Sequence, residues 1–274
     1  MRPEDYPQQE PFSDVAQSYH EGCMRRRTIE GIEIPYGDDP YQRLNIFPPQ
    51  APNGQILAFI HGGGWTNGYK EWMDFMGPAF TAQGVTFASL GYRLAPGHLF
   101  PAALDDLANA LVKLLGVAPE HGGDPEKLFV GGHSAGGHYA SLLATRDSWW
   151  VERGLADPPV KGCLPVSGVY DFGPDSGLSN RPRFLGVPDD ATDRAASPIA
   201  GGDRFPDFLI AYGDGDFPHL MTQADRMTAF LQANGAAVTQ VVFDNASHFD
   251  ASFAAGDPDA PFVNAACKFM NDHT

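Results

Sequence analysis

Six short apolar runs punctuate the chain: Ile56–Ile60, Val85–Leu90, Leu128–Gly131, Gly162–Val166, Phe208–Tyr212 and Val238–Phe243. Each is too short for a helix, and most are rich in β-branched or aromatic residues. That pattern suits strands buried on both faces of a parallel sheet. Longer amphipathic stretches separate them. Pro101–Leu115 opens on a proline suited to a first helical turn and sets Leu104, Leu107, Leu111 and Leu114 at helical spacing. Gly136–Arg146, His219–Ala233 and Pro261–Asn271 are further helix candidates, the second stopped by Asn234-Gly235. Parallel strands need crossovers, so this alternation predicts an α/β fold: a doubly wound, mostly parallel sheet flanked by helices.

Two stretches break the alternation. Residues 1–50 are rich in Pro, Gln and charge, and residues 171–206 in Gly, Pro, Asp and Arg. Neither carries a core of its own. The 274 residues therefore read as one domain, 1–274, with both stretches expected as lid elements over the top of the sheet.

Composition narrows the function. A net charge of −16 argues against nucleic acid, which needs clustered cations, and against an anionic membrane surface. Cys23, Cys163 and Cys267 form neither a disulfide framework nor a zinc-site spacing. No stretch approaches the ~20 apolar residues of a membrane span. The first residues carry acids, prolines and Arg25-Arg26-Arg27 rather than the apolar core of a secretory signal. A cytoplasmic protein is expected.

Gly132-His133-Ser134-Ala135-Gly136 matches GxSxG and stands between an apolar strand and a helix. That strand–turn–helix setting lifts a serine hydroxyl above the sheet on a sharp turn. Small residues at 132 and 136 let strand and helix approach. The helix N-terminus then aims free N–H groups where negative charge develops. Ser134 is the predicted nucleophile. His61-Gly62-Gly63-Gly64-Trp65 follows an earlier strand and resembles an oxyanion loop, whose donors are assigned to Gly63, Gly64 and Ala135. A phosphate loop would need GK[ST], and a dinucleotide loop GxGxxG opening a helix; neither is present. His61 is expected to brace the loop.

A serine nucleophile needs a base to take its proton and an acid to orient the base, in the chain order Ser, Asp or Glu, His. Asp214 and Asp216 both stand in the loop after Phe208–Tyr212, with Asp171 a third candidate. His248, in the polar loop after the last strand, is the expected base. His219 opens a helix, and His273 lies at the end of the chain. His133 and His138 do not have a metal-ligand spacing.

With these residues in view the chain resembles the α/β-hydrolases, and within them the hormone-sensitive-lipase-like and kynurenine formamidase (arylformamidase)-like esterases. The resemblance runs from about residue 50 to 272. It is carried by His61–Trp65, Tyr92-Arg93-Leu94-Ala95-Pro96, Pro101-Ala102-Ala103-Leu104-Asp105-Asp106 and Gly132–Gly137. Ser167-Gly168-Val169-Tyr170-Asp171, Ala196-Ser197-Pro198 and Ser247-His248-Phe249-Asp250 are similar to formamidase segments. The loop Gly213–Pro218 resembles their acid loop and places the acid at Asp216, although Phe217 stands where serine is usual. The resemblance implies a serine hydrolase acting on a small carboxylic ester or aryl-formamide, with no metal or cofactor. Trp65, Phe217 and Phe249 adjoin the catalytic residues and are expected to bind substrate. A homodimer is the assembly that relatives suggest. The rival of another class is a non-catalytic ligand-binding protein on the same fold. A dehalogenase would need Asp at position 134.

Overall fold

The computed structural model describes residues 1–274. One eight-stranded sheet runs through it, in the order β1-β2-β4-β3-β5-β6-β7-β8. Its strands are β1 (Ile32–Pro35), β2 (Arg43–Phe47), β3 (Gly54–Ile60), β4 (Thr86–Leu90), β5 (Gly123–His133), β6 (Val160–Val166), β7 (Asp207–Gly213) and β8 (Val238–Phe243). From β4 to β8 every neighbouring pair is parallel; β1 and β2 are antiparallel additions at one edge. Around the sheet lie α1 (Asp14–Arg26), α2 (Gly77–Thr81), α3 (Ala102–Val117), α4 (Ala135–Thr145) and α5 (Ser148–Val151). They are followed by α6 (Asp190–Ala196), α7 (Pro218–Ala233), α8 (His248–Ala254) and α9 (Pro261–Asp272). No helix is long and apolar enough to cross a membrane.

The central strands are apolar because both their faces are covered. Leu57, Phe59, Phe129, Val130, Leu164 and Ile210 are all fully or almost fully buried, each contributing about 1.5–3 kcal/mol relative to exposure. Helix α3 turns Leu107, Leu111 and Leu114 inward, as their spacing predicts. Helix α4 is buried along its whole length, consistent with its run of Gly, Ala, Leu, Ser and Tyr. The strands end together on the side where the loops 61–68, 132–136, 213–218 and 244–247 meet.

The structure differs from the expectation for residues 1–50. Residues 32–47 are not a lid; they form β1 and β2, and Leu44, Ile46 and Phe47 are core residues. Polar Asn45 hides this strand in the sequence. It is buried because its Nδ2 donates to both carboxylate oxygens of Asp74, at 3.0 and 2.9 Å. Only the part before β1, with α1, overlies the cavity described below. The second stretch, 171–206, holds α6 and two 3-10 turns and lays Phe184 against Trp65, ring centroids 4.3 Å apart.

Candidate active site

Ser134 stands between β5 and α4, and its backbone is held at φ 55°, ψ −117°. A non-glycine residue keeps such a conformation only where its surroundings impose it. Here they do. The Ser134 amide donates to Val166 O on the neighbouring strand at 2.9 Å. A Cβ on Gly136 would lie 2.0 Å from Ile60 O, so the helix can start this close to β3 only with glycine there.

His248 and Asp216 come together across the ends of β7 and β8. His248 Nδ1 donates to Asp216 Oδ1 at 2.9 Å. The other carboxylate oxygen accepts from Ser167 Oγ, and the Phe217 amide donates to Oδ1 at 2.7 Å. Burial alone would raise the Asp216 carboxyl. The His248 hydrogen bond and charge, with help from Ser167 and Phe217, outweigh it and hold the group below the ordinary carboxylate range. Asp216 therefore stays ionised at neutral pH and fixes the proton of His248 on Nδ1, leaving Nε2 as the acceptor.

The neighbouring candidates fall elsewhere. Asp214 is exposed. Asp171 pairs with Arg226 at 2.8 Å. His273 is tied to the start of β7, its Nε2 meeting Asp207 at 2.8 Å. His248 was expected in a loop, yet it opens α8. Ser247 and Asp250 cap that helix reciprocally, and the Ser-x-x-Asp spacing was the sequence signal for it.

Ser134 and His248 line one cavity of about 260 Å³, with Gly63 and Gly64 opposite. No direct hydrogen bond joins the serine hydroxyl to the imidazole; such contacts commonly tighten only when substrate binds. Gly63 and Gly64 have φ of 116° and 59°, a region open to glycine without steric cost. Their amides donate to no carbonyl or side chain of the protein. Ala135 is the first residue of α4, so its N–H lacks an intrahelical partner. All three predicted donors are thus unengaged around the serine. His61 braces this loop: it stacks on Tyr92 at 4.3 Å and its Nδ1 contacts Gly62 O at 2.7 Å. Burial lowers its pKa to about 4.

A family model of the alpha/beta hydrolase fold matches residues 57–251. The chain belongs to that family. It is 26% identical over 261 residues to an isoprenylcysteine alpha-carbonyl methylesterase of Arabidopsis thaliana, covering 87% of this chain but only 60% of that protein. It is 25% identical over 264 residues to a kynurenine formamidase of Salmo salar, covering 91% of this chain and 86% of that enzyme. Among solved structures, esterase B from Lactobacillus rhamnosis shares the fold. The TM-score is 0.76 at 21% identity, over 94% of this chain and 91% of that one.

The walls of the cavity correct one expectation. Phe217 and Phe249 line it, but Trp65 does not. With its own φ at 65°, Trp65 sits on Phe184 and donates from Nε1 to His138 Nδ1 at 3.1 Å. Its indole is buried among His138, Phe172 and Phe184. Tyr19 and Trp72 supply the aromatic surface in its place, with Ala16 from α1 alongside. Sequence reasoning missed them because tertiary packing alone brings α1, with Tyr19, against Trp72 of the 3-10 segment Lys70–Met76. His133 also lines the cavity; its Nε2 donates to His248 O at 3.0 Å, and burial, then the nearby His248 charge, lowers its pKa to about 3. Ser167 was missed as a partner of Asp216, although the serine directly after β6 was a visible cue.

Proposed function

We propose that this chain is a serine hydrolase that cleaves small carboxylic esters or aryl-formamides through an acyl-enzyme intermediate. The observation that carries the reading is that His248, hydrogen-bonded to Asp216, shares a cavity with Ser134 and the free amides of the glycine loop. His248 Nε2 takes the proton of Ser134 as Oγ attacks the carbonyl carbon. The developing oxyanion is held by the amides of Gly63, Gly64 and Ala135, each such donor typically carrying about 10²–10³ in turnover. His248 then gives its proton to the leaving alcohol or amine, and the C–O or C–N bond breaks. Water repeats the sequence on the acyl-serine and frees the acid. Asp216 holds the imidazole tautomer throughout and stabilises the imidazolium. None of these steps requires a metal or cofactor.

Aromatic walls (Tyr19, Trp72, Phe217 and Phe249) favour a flat apolar group on one side of the scissile bond. This feature, with the formamidase relative, supports an aryl-formamide as the second reading of the substrate. The test is hydrolysis of p-nitrophenyl acetate by wild type and Ser134→Ala. Wild type is expected to turn over and the variant to lose activity by about 10⁴-fold or more. An inactive wild type would favour a ligand-binding protein on the same fold, and an unchanged variant would remove Ser134 from the reaction. N-formylkynurenine against short-chain esters then separates the two substrate readings.

A further inference from the structure

We propose that Gln9 is a positioning residue for the oxyanion hole, holding the glycine loop in its reactive shape from outside the cavity. The proposal rests on the hydrolase reading above. Three consecutive residues, Gly63, Gly64 and Trp65, have φ of 116°, 59° and 65°. A left-handed tryptophan in such a run persists only where its surroundings over-determine it. Part of the constraint is internal. Thr66 and Asn67 amides turn back on Gly63 O at 3.2 and 3.0 Å, and the Ala95 amide meets Trp65 O at 2.9 Å. These bonds shape the turn but leave its far end, Gly68, to be tied down.

Gln9 ties it. Its Oε1 accepts from the Gly68 amide at 2.9 Å, and its Nε2 donates to Gly68 O at 2.8 Å. One side chain thus satisfies both backbone groups, as a neighbouring strand would. The same Nε2 donates to Tyr41 Oη at 2.8 Å. In the next residue, Glu10 O accepts from Asn67 Nδ2 at 2.8 Å. Gly68 in turn lies against the buried His61; a Cβ there would fall 2.5 Å from its Nδ1. The loop is therefore gripped from the core by His61 and from outside by Gln9. Gln9 does not line the cavity, so it acts through the loop and touches no reacting atom.

This placement has a kinetic signature. The glycine amides matter most when charge sits on the oxygen, in the transition state, while the aromatic walls hold the substrate in both states. Loosening the loop lowers kcat and leaves KM nearly unchanged. The experiment compares wild type with Gln9→Leu, which removes both polar atoms at similar volume. Gln9→Glu, the second variant, keeps an acceptor for the Gly68 amide and loses the donor. For p-nitrophenyl acetate, kcat per phosphonate-titrated site is expected to fall about tenfold or more in Gln9→Leu, with KM within twofold. Gln9→Glu is expected to lie between it and wild type. A trifluoromethyl ketone, whose adduct places an oxyanion in the hole, is expected to weaken by the same factor as kcat. Retention of kcat and inhibitor affinity within twofold, or a rise in KM alone, overturns the proposal. So does a loss fully explained by fewer titratable sites. The two readings fail separately. Activity in Ser134→Ala would sink the hydrolase, whereas a dead Ser134→Ala beside a full-speed Gln9→Leu would sink only the brace.

Discussion

The nucleophile turn and the glycine loop face each other over the same cavity, and both carry non-glycine residues at positive φ: Ser134 at 55° and Trp65 at 65°. They are held in different ways. The turn is fixed by the sheet. Its residues are hydrogen-bonded to β6, and α4 closes on β3 so tightly that no side chain fits at Gly136. The loop is fixed by chain that is distant in sequence: Gln9 and Glu10 before α1, His138 on α4 and Phe184 from the second excursion. The proposed site thus rests its nucleophile turn on the sheet, where strain is absorbed by packing, and its glycine loop on distant side chains. Of these, His138 and Phe184 are buried, whereas Gln9 and Glu10 are half-buried and easier to alter.

Substitutions that strike each segment should separate these two modes of support. The largest effect is expected at Gly136→Ala, because the new methyl collides with the backbone of β3. We expect a loss of about 3 kcal/mol or more, read from the urea midpoint. Near-normal stability would mean that the turn is looser than the contacts imply. Gly63→Ala comes next. Its Cβ would lie 2.0 Å from Asn67 O, with φ at 116°, so the local turn must open. The expected result is a fall in kcat of about 10²–10³, with a smaller effect on unfolding than Gly136→Ala. If stability falls as far as in Gly136→Ala, the contrast between loop and turn is lost.

The smallest effect per group is electrostatic. His61 lies under the loop and His133 in the turn. Burial lowers their pKa values to about 4 and about 3, and does the same to His138, which drops to about 3. The unfolded chain titrates these groups near 6.5. Below that pH the unfolded state binds more protons than the folded one, so stability falls as pH drops towards 3–4. The slope approaches about 1.4 kcal/mol per pH unit for each histidine. Asp74 opposes the trend between about pH 4 and 6. Burial raises its carboxyl to about 6, so there the folded state takes up the proton first. Urea unfolding at pH 7 and pH 5 should show a clear net loss. Equal stability at the two values would contradict neutral burial of the three rings.

Much of the half that carries the proposed site was readable because its signals are local. GxSxG needs only the strand before it and the helix after it, and HGGG likewise. The runs that became β3 to β7 are buried on both faces, so apolarity alone betrays them. Against the expectation of burial on both faces, β8, at the sheet edge, buries Val241 and Phe243 but turns Thr239, Gln240 and Val242 to solvent. The missed features depend on distant partners. Asn45 breaks the apolar run of β2 and is legible only once Asp74 is known to face it. Tyr19 reaches the cavity through the packing of α1 and Trp72 from the 3-10 segment Lys70–Met76 packed against it, and the sequence next to Ser134 holds no trace of them. Trp65 misled for the converse reason. It adjoins the oxyanion glycines in sequence, but its left-handed backbone carries the indole onto Phe184. Two omissions had a local cue: the α8 start at His248, marked by the Ser247–Asp250 capping box, and Ser167, the serine directly after β6.

In the proposed mechanism Ser134 is the activated nucleophile of a site assembled from these two segments. Treating the folded protein with a fluorophosphonate, then measuring intact mass and mapping the labelled peptide, tests it most directly. A single adduct on Ser134 is expected, absent from Ser134→Ala. A folded protein that takes up no label, or carries it on another residue, would contradict it.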